Sequence, residues 1–210
     1  TSETAEDILD DYKSHKADYA SMQFGERPYT STENKTYYID QANGSDENDG
    51  ESSATAFKTW AKALSVIPVF IKHKIYIRII GNLQEDIVLE NINCLRNGIF
   101  ELIGDTHTKE NHQINSLRVV NCWGIGWLRH LCVNGQVRVG SSSVQLVQFK
   151  IRNAGGVGLH AINNSTVILF YVDFDENINT DCIQAGNANE YCGGWVQTRY
   201  VTGKGTRYGL

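Results

Sequence analysis

The chain has 210 residues, 41% of them hydrophobic, with 19 Lys and Arg against 24 Asp and Glu and a net charge of −5. That is enough apolar chain for one sizeable core plus an appendage. The absence of a basic stripe argues against nucleic acid as a partner, and no run of about 20 apolar residues is present to insert into a membrane.

The charge is uneven. Residues 1–36 hold eight acids against four bases, and the remainder holds 16 acids against 15 bases. Only Pro28 and Pro68 interrupt the chain, glycine is frequent at 19, and β-branched residues crowd the sequence after residue 75, a mix that suits β structure. The five cysteines, Cys94, Cys122, Cys132, Cys182 and Cys192, are odd in number and lack C-x-x-C spacing. They read as buried free thiols and imply assembly in a reducing cytosol. No signal peptide is visible, and the start at Thr1 without Met is compatible with a trimmed N-terminus.

Residues 3–24 predict an amphipathic helix. Thr4-x-x-Asp7 resembles a capping box, and acids cluster in the first turns, where the helix dipole favours them. Ile8, Tyr12, His15, Tyr19 and Met22 follow a 3–4 spacing, a heptad-like seam for oligomerisation or attachment. Such a helix is marginal alone and needs a partner, its own domain or a larger assembly. Residues 25–36, "GERPYTSTENKT", read as a linker.

Residues 37–73 predict an opening strand, a loop and a capping helix. "YYID" leads into "NGSDENDG", and then Trp60, Ala63, Leu64 and Ile67 lie at i, i+3, i+4 and i+7 behind Thr59 as N-cap, with Pro68 ending the helix. From residue 74 the helical period gives way to short apolar runs that end at Gly, Asn or Asp. Val120 and Val139, Ile125 and Val144, and Asn134 and Asn153 are each 19 apart, whereas "SSVQLVQFKI" (142–151) and "STVILFYVDF" (165–174) are offset by 23. A drifting period of 19–24 residues fits the coils of a parallel β-helix over 74–210, stacked about 4.8 Å apart. An irregular antiparallel sandwich is the alternative, but few Asn-Gly or Asp-Gly hairpin turns are present. A solenoid has open ends that need covering. Phe57, Trp60, Leu64 and Ile67 are the residues placed to cap the first coil.

With those residues in view, the segment "YYID…NGSDENDGESSATAFKTWAKAL" resembles the opening module of right-handed parallel β-helix proteins of the pectate-lyase-like group. The resemblance is carried by Tyr38, Ile39, Asp40, Gly44, Ser45, Asp46, Asp49, Gly50, Ala56, Phe57 and Thr59. The leading "ETAEDILDDYKSHKADYASM" resembles the virion-binding segment of tail fibre and tailspike proteins of phages of Gram-positive bacteria. That resemblance implies a homotrimeric virion component assembled in the host cytoplasm. Its helix would dock on other tail or baseplate proteins, and the protein would serve host adsorption through a surface glycan, with the receptor-binding part beyond residue 210. The alternative is a polysaccharide lyase or glycoside hydrolase on the same scaffold. A secreted bacterial surface protein is disfavoured by the buried thiols and the missing signal peptide.

The chemistry in the coils is sparse. Glycan hydrolysis needs two carboxylates about 5–10 Å apart. Asp173, Asp175 and Glu176 are the candidates, Asp173 and Asp175 sharing one strand face, against a plain reading as a solvated strand end. A lyase would want a basic residue too, but no spacing ties Arg129, Arg152 or Arg199 to those acids. Trp123, Trp127, Tyr171 and Trp195 could stack on sugars if exposed, as could Tyr191 and Tyr200, but core filling is the first expectation. The loop Asp46–Asp49 fits neither an EF-hand spacing nor a phosphate loop. The histidines are scattered, with His107 and His112 expected in a surface loop rather than on zinc. No metal and no cofactor is expected.

Overall fold

The computed structural model describes residues 23–24, 27–152, 156–175, 183–185 and 194–203. The helical seam Ile8, Tyr12, His15, Tyr19 and Met22 lies outside them, as do Glu176, Tyr191, Cys182, Cys192 and Asn153. The far end of the expected helix is corrected: Gln23–Phe24 is a short strand, antiparallel to Arg27–Pro28. Gly25 and Pro28 close by in sequence both oppose helical continuation.

The regular structure of the described chain is mostly strand, and every pairing after Pro28 is parallel. A seven-stranded sheet joins Lys35–Asp40, Lys74–Ile80, Ile99–Gly104, Trp127–Arg129, Ser143–Val147, Thr166–Phe170 and Trp195–Arg199 in chain order. A five-stranded sheet joins Asp86–Glu90, Ser116–Val120, Val137–Gly140, Leu159–Ile162 and Ile183–Ala185. A second one, of shorter strands, joins Gln113–Ile114, Cys132–Val133, Lys150–Ile151, Asp173–Phe174 and Thr202–Gly203. From residue 127 onward the chain visits the three sheets in strict rotation, so each strand pairs with the one three strands later.

Register converts alternation into a core. Ile77, Leu102, Leu128, Leu146 and Leu169 form one inward column and are fully buried. Ile87, Leu117, Val137 and Leu159 form another on the neighbouring sheet. The offset of 23 predicted between 143 and 166 is the register found. The offset of 19 is not: Val139 pairs with Val119, 20 residues away, and Leu146 with Leu128, 18 away. The two connections between those strands differ in length, so no single period describes that stretch.

Corners turn through left-handed residues. Asn91, Asn121, Ser141 and Asn163 hold φ between 48° and 54° at one corner. His130, Gln148, Tyr171 and Tyr200 hold φ between 52° and 60° at the other. The strand registers place each set in line across the sheets. Asparagine and histidine are at home there; serine, glutamine and tyrosine carry a conformational cost that the stacked backbone imposes.

The one α-helix described, α1 (Trp60–Val66), has Thr59 as N-cap, its hydroxyl accepting from Lys62 N–H. Phe57, Trp60 and Ile67 are buried and Leu64 packs against the same core, so all four expected cap residues meet the apolar interior. Trp60 also donates from its indole to Val88 O at 3.2 Å.

Residues 27–36, read as linker, are fastened along this end instead. Arg27 donates to the carbonyls of Ile67 (2.9 Å), at the C-cap of the helix, and Glu90 (2.7 Å), at the end of the strand Asp86–Glu90. Ser31 Oγ accepts from Lys72 N–H and His73 N–H, and Tyr29 packs on Phe70.

Candidate functional site

The acidic loop is occupied by its own turn chemistry. Asp40 Oδ1 accepts from the N–H groups of Ala42 and Asn43 at 3.0 Å each, and its Oδ2 from the Asn43 amide. Asp46 accepts from Lys58 N–H, Thr59 N–H and the Thr59 hydroxyl, all within 2.9 Å. Asp49 accepts from Glu51 N–H and the Thr55 hydroxyl. Burial opposes ionisation of Asp46, but the Thr59 and Lys58 bonds outweigh it and hold the carboxyl below its usual range. The glycines serve closeness: a Cβ at Gly44 would stand 2.3 Å from Phe57 O, and Gly50, at φ +71°, lies against the Phe57 ring. These side chains hold the strand to the helix and leave no vacant ligand cage. Among the described residues no group of three His, Cys, Asp or Glu is arranged to hold a metal ion.

The aromatics overturn the expectation of core filling. Trp127, Trp195, Tyr171 and Tyr200 are 45%, 72%, 54% and 71% exposed, and Trp123 is 50% exposed. Leu128 and Val196 take the inward positions of their strands, so Trp127 and Trp195 both face outward on the seven-stranded sheet. Register aligns Trp127 with Gln145, Ile168 and Gln197, and Arg129 with Val147, Phe170 and Arg199. Trp195 precedes Gln197 by two residues. The two indoles therefore stand about 14 Å apart across the sheet and about 7 Å apart along it. Trp127 Nε1 donates to Gln145 Oε1 at 3.1 Å, and the Arg129 guanidinium lies 5.4 Å from the Trp127 ring. At the adjoining corner Tyr171 and Tyr200 stack with centroids 4.9 Å apart and planes 5° from parallel. Trp123 belongs elsewhere, bridged to Asn93 outside this sheet.

This outer face combines flat apolar rings with amide and guanidinium donors on a rigid ladder. That set suits a ligand with apolar faces and hydroxyl edges. Beside it, Glu101 pairs with Arg129 at 3.1 Å; burial pushes its carboxyl up, Arg129 opposing. Glu101 and Gln145 escaped the sequence reading. The one signal for Glu101 was a lone acid inside the apolar run "GIFELIG", and Gln145 gains meaning only from register with Trp127.

The carboxylate candidates are engaged. Asp173 and Asp175 do share the outward face of their strand, Phe174 being buried between them. Asp173 takes Lys109 and the Thr202 hydroxyl as partners. Burial raises its pKa, but those bonds prevail and hold it low. Asp175 pairs with Arg152 at 3.5 Å, a link that spacing did not reveal. Arg152 and Asp175 directly follow neighbouring strands of the short-stranded sheet, whereas Lys109 reaches Asp173 from the turn Lys109–Asn111.

The histidine loop is also corrected. His112 is buried, its Nδ1 3.2 Å from Gly81 O and its Nε2 2.7 Å from the Thr106 hydroxyl. His130 is buried at its corner, its Nε2 2.6 Å from Gln148 Oε1 and 3.2 Å from exposed His107; burial lowers its pKa. The thiols of Cys122 and Cys132 are buried and free, and Cys94 is half-buried and free. Burial pushes Cys122 up to about 11 and Cys94 up to about 12, which leaves both poor nucleophiles. No helix among the described residues is long and apolar enough to cross a membrane.

Compared with models of protein families, with curated proteins and with solved structures, the chain finds no significant match.

Proposed function

We propose that this chain is the parallel β-helix module of a phage tail appendage, a tail fibre or tailspike component that recognises a glycan on the host surface. The strict rotation of strands through three parallel sheets and the two columns of left-handed corner residues support the coil reading. A right-handed coil is the hand that parallel crossovers take. The opening module adds to it: its Asp and Gly positions are explained one by one by the join between first strand and helix α1. On this reading the protein is a homotrimer in the virion, and residues 1–24 attach it to other tail or baseplate proteins.

The observation that carries the glycan reading is the outward face of the seven-stranded sheet that presents Trp127 and Trp195 with Gln145, Gln197 and Arg199, beside the Tyr171–Tyr200 stack. Solvent-exposed aromatics on so rigid a ladder are costly surface unless a partner covers them. The lyase or hydrolase reading draws no support from Asp173 and Asp175, which are occupied by Lys109 and Arg152.

The test is binding of the protein to intact Gram-positive cells and to their purified surface glycans. The Trp127→Ala/Trp195→Ala double variant is expected to bind at least about tenfold more weakly, the scale of an aromatic anchor. Equal binding by a folded double variant overturns the assignment of this face.

A further inference from the structure

A second face of the molecule has a different chemistry. On the outer side of the longer five-stranded sheet, one register row reads Val88, Arg118, Arg138, His160 and Gln184. Arg118 and Arg138 sit directly opposite each other on neighbouring strands, and both are exposed. Backbone spacing there is about 4.8 Å, a distance at which facing like charges destabilise a sheet. No carboxylate shares the row to offset them. Asp86 and Glu90 stand diagonal to Arg118 on the next strand, but Asp86 accepts from the Ser116 hydroxyl at 2.6 Å. Neither arginine forms an ion pair or hydrogen bond among the described residues. This contrasts with Arg27, Arg129 and Arg152, each of which has a backbone or carboxylate partner.

We infer that Arg118 and Arg138 form an anion-binding row for an acidic polysaccharide, carrying carboxylate or phosphoryl groups, that runs across the strands. A guanidinium matches either anion with two parallel N–H···O bonds, and two in register present a short line of such forks. The two guanidiniums stand about 5 Å apart across two strands. A linear polymer fits this better than duplex nucleic acid, because two guanidiniums in one row fall short of the basic stripe that duplex binding draws on. The row does not depend on the aromatic face, which lies on another sheet.

The experiment measures binding of the full chain to polygalacturonate, to inorganic polyphosphate, to neutral dextran and to duplex DNA over a range of salt. The expected result is salt-sensitive binding to polygalacturonate, polyphosphate or both. The Arg118→Gln/Arg138→Gln variant loses about tenfold in affinity, and its salt slope falls by about one per arginine removed. Arg96→Gln, an exposed arginine elsewhere, retains wild-type binding. A thermal melt confirms that the variants fold. No binding to either polyanion at low salt, unchanged affinity in the double variant, or DNA bound as tightly as the acidic polymers overturns the inference. Loss in the arginine variant with cell binding intact leaves the aromatic reading standing, and the reverse pattern removes only that reading.

Discussion

The two ends of the described stack are built differently. At the opening end Ile39, Phe57, Trp60 and Ile67 are buried beneath α1 and the 27–36 strap. At the last strand of the seven-stranded sheet, Trp195–Arg199, four of five residues are exposed and only Val196 is half-buried. The contrast is sharpest within a single column. Ile77, Leu102, Leu128, Leu146 and Leu169 are sealed, but Thr198, next in register, is exposed. An inward position in a stacked sheet is thus dry only if something covers it on both sides. Burial belongs to the neighbours as much as to the residue.

Breaking the covered end has the largest expected effect. Trp60→Ala removes a buried indole and its bond to Val88 O, and is expected to cost about 3–5 kcal/mol in chemical denaturation. A cost under about 1 kcal/mol would show that the helix is not closing the core. The column gives a graded comparison. Leu146→Ala, sealed between Leu128 and Leu169, is expected to cost about 2–5 kcal/mol. Val196→Ala, already half in water, should stay within about 1 kcal/mol. Equal costs at the two sites would refute the argument from neighbours.

An effect of the same small size lies in the loop that joins strand to helix. Asp46→Ala removes three bonds at the start of α1 and is expected to cost about 1 kcal/mol. The folded carboxyl is held below its usual range, so its contribution is present above about pH 4 and fades as pH falls through the folded value. Asp46→Asn should flatten that acid limb in a stability–pH profile, and an unchanged limb would show that other carboxylates set it.

Much of the architecture was legible from local chemistry. Thr59 as N-cap, the apolar face of 60–67 and the turn role of "NGSDENDG" are all short-range consequences of residue type, and so is strand alternation after residue 74. The repeat was legible where two successive rounds of the sheets keep one offset, which is why 143–147 aligned with 166–170. It failed between 117–129 and 137–147, where the corners differ by one or two residues and cancel any fixed offset. The site was far less legible. A tryptophan in a strand reads as core by default, and only the inward placement of Leu128 and Val196 turned Trp127 and Trp195 outward.

The sequence by itself determined the strand-rich composition, the capped helix, the internal use of the loop acids and the free state of the described thiols. These depend on contacts within a few residues or on side-chain chemistry alone. Only the tertiary structure decided which strands are neighbours. That choice set Arg152 beside Asp175, Lys109 beside Asp173, Arg118 opposite Arg138, and Trp127 in line with Gln197. Each of these pairings spans 20 or more residues of chain, and its register is fixed by connection lengths and core packing summed over several strands, which no local pattern encodes.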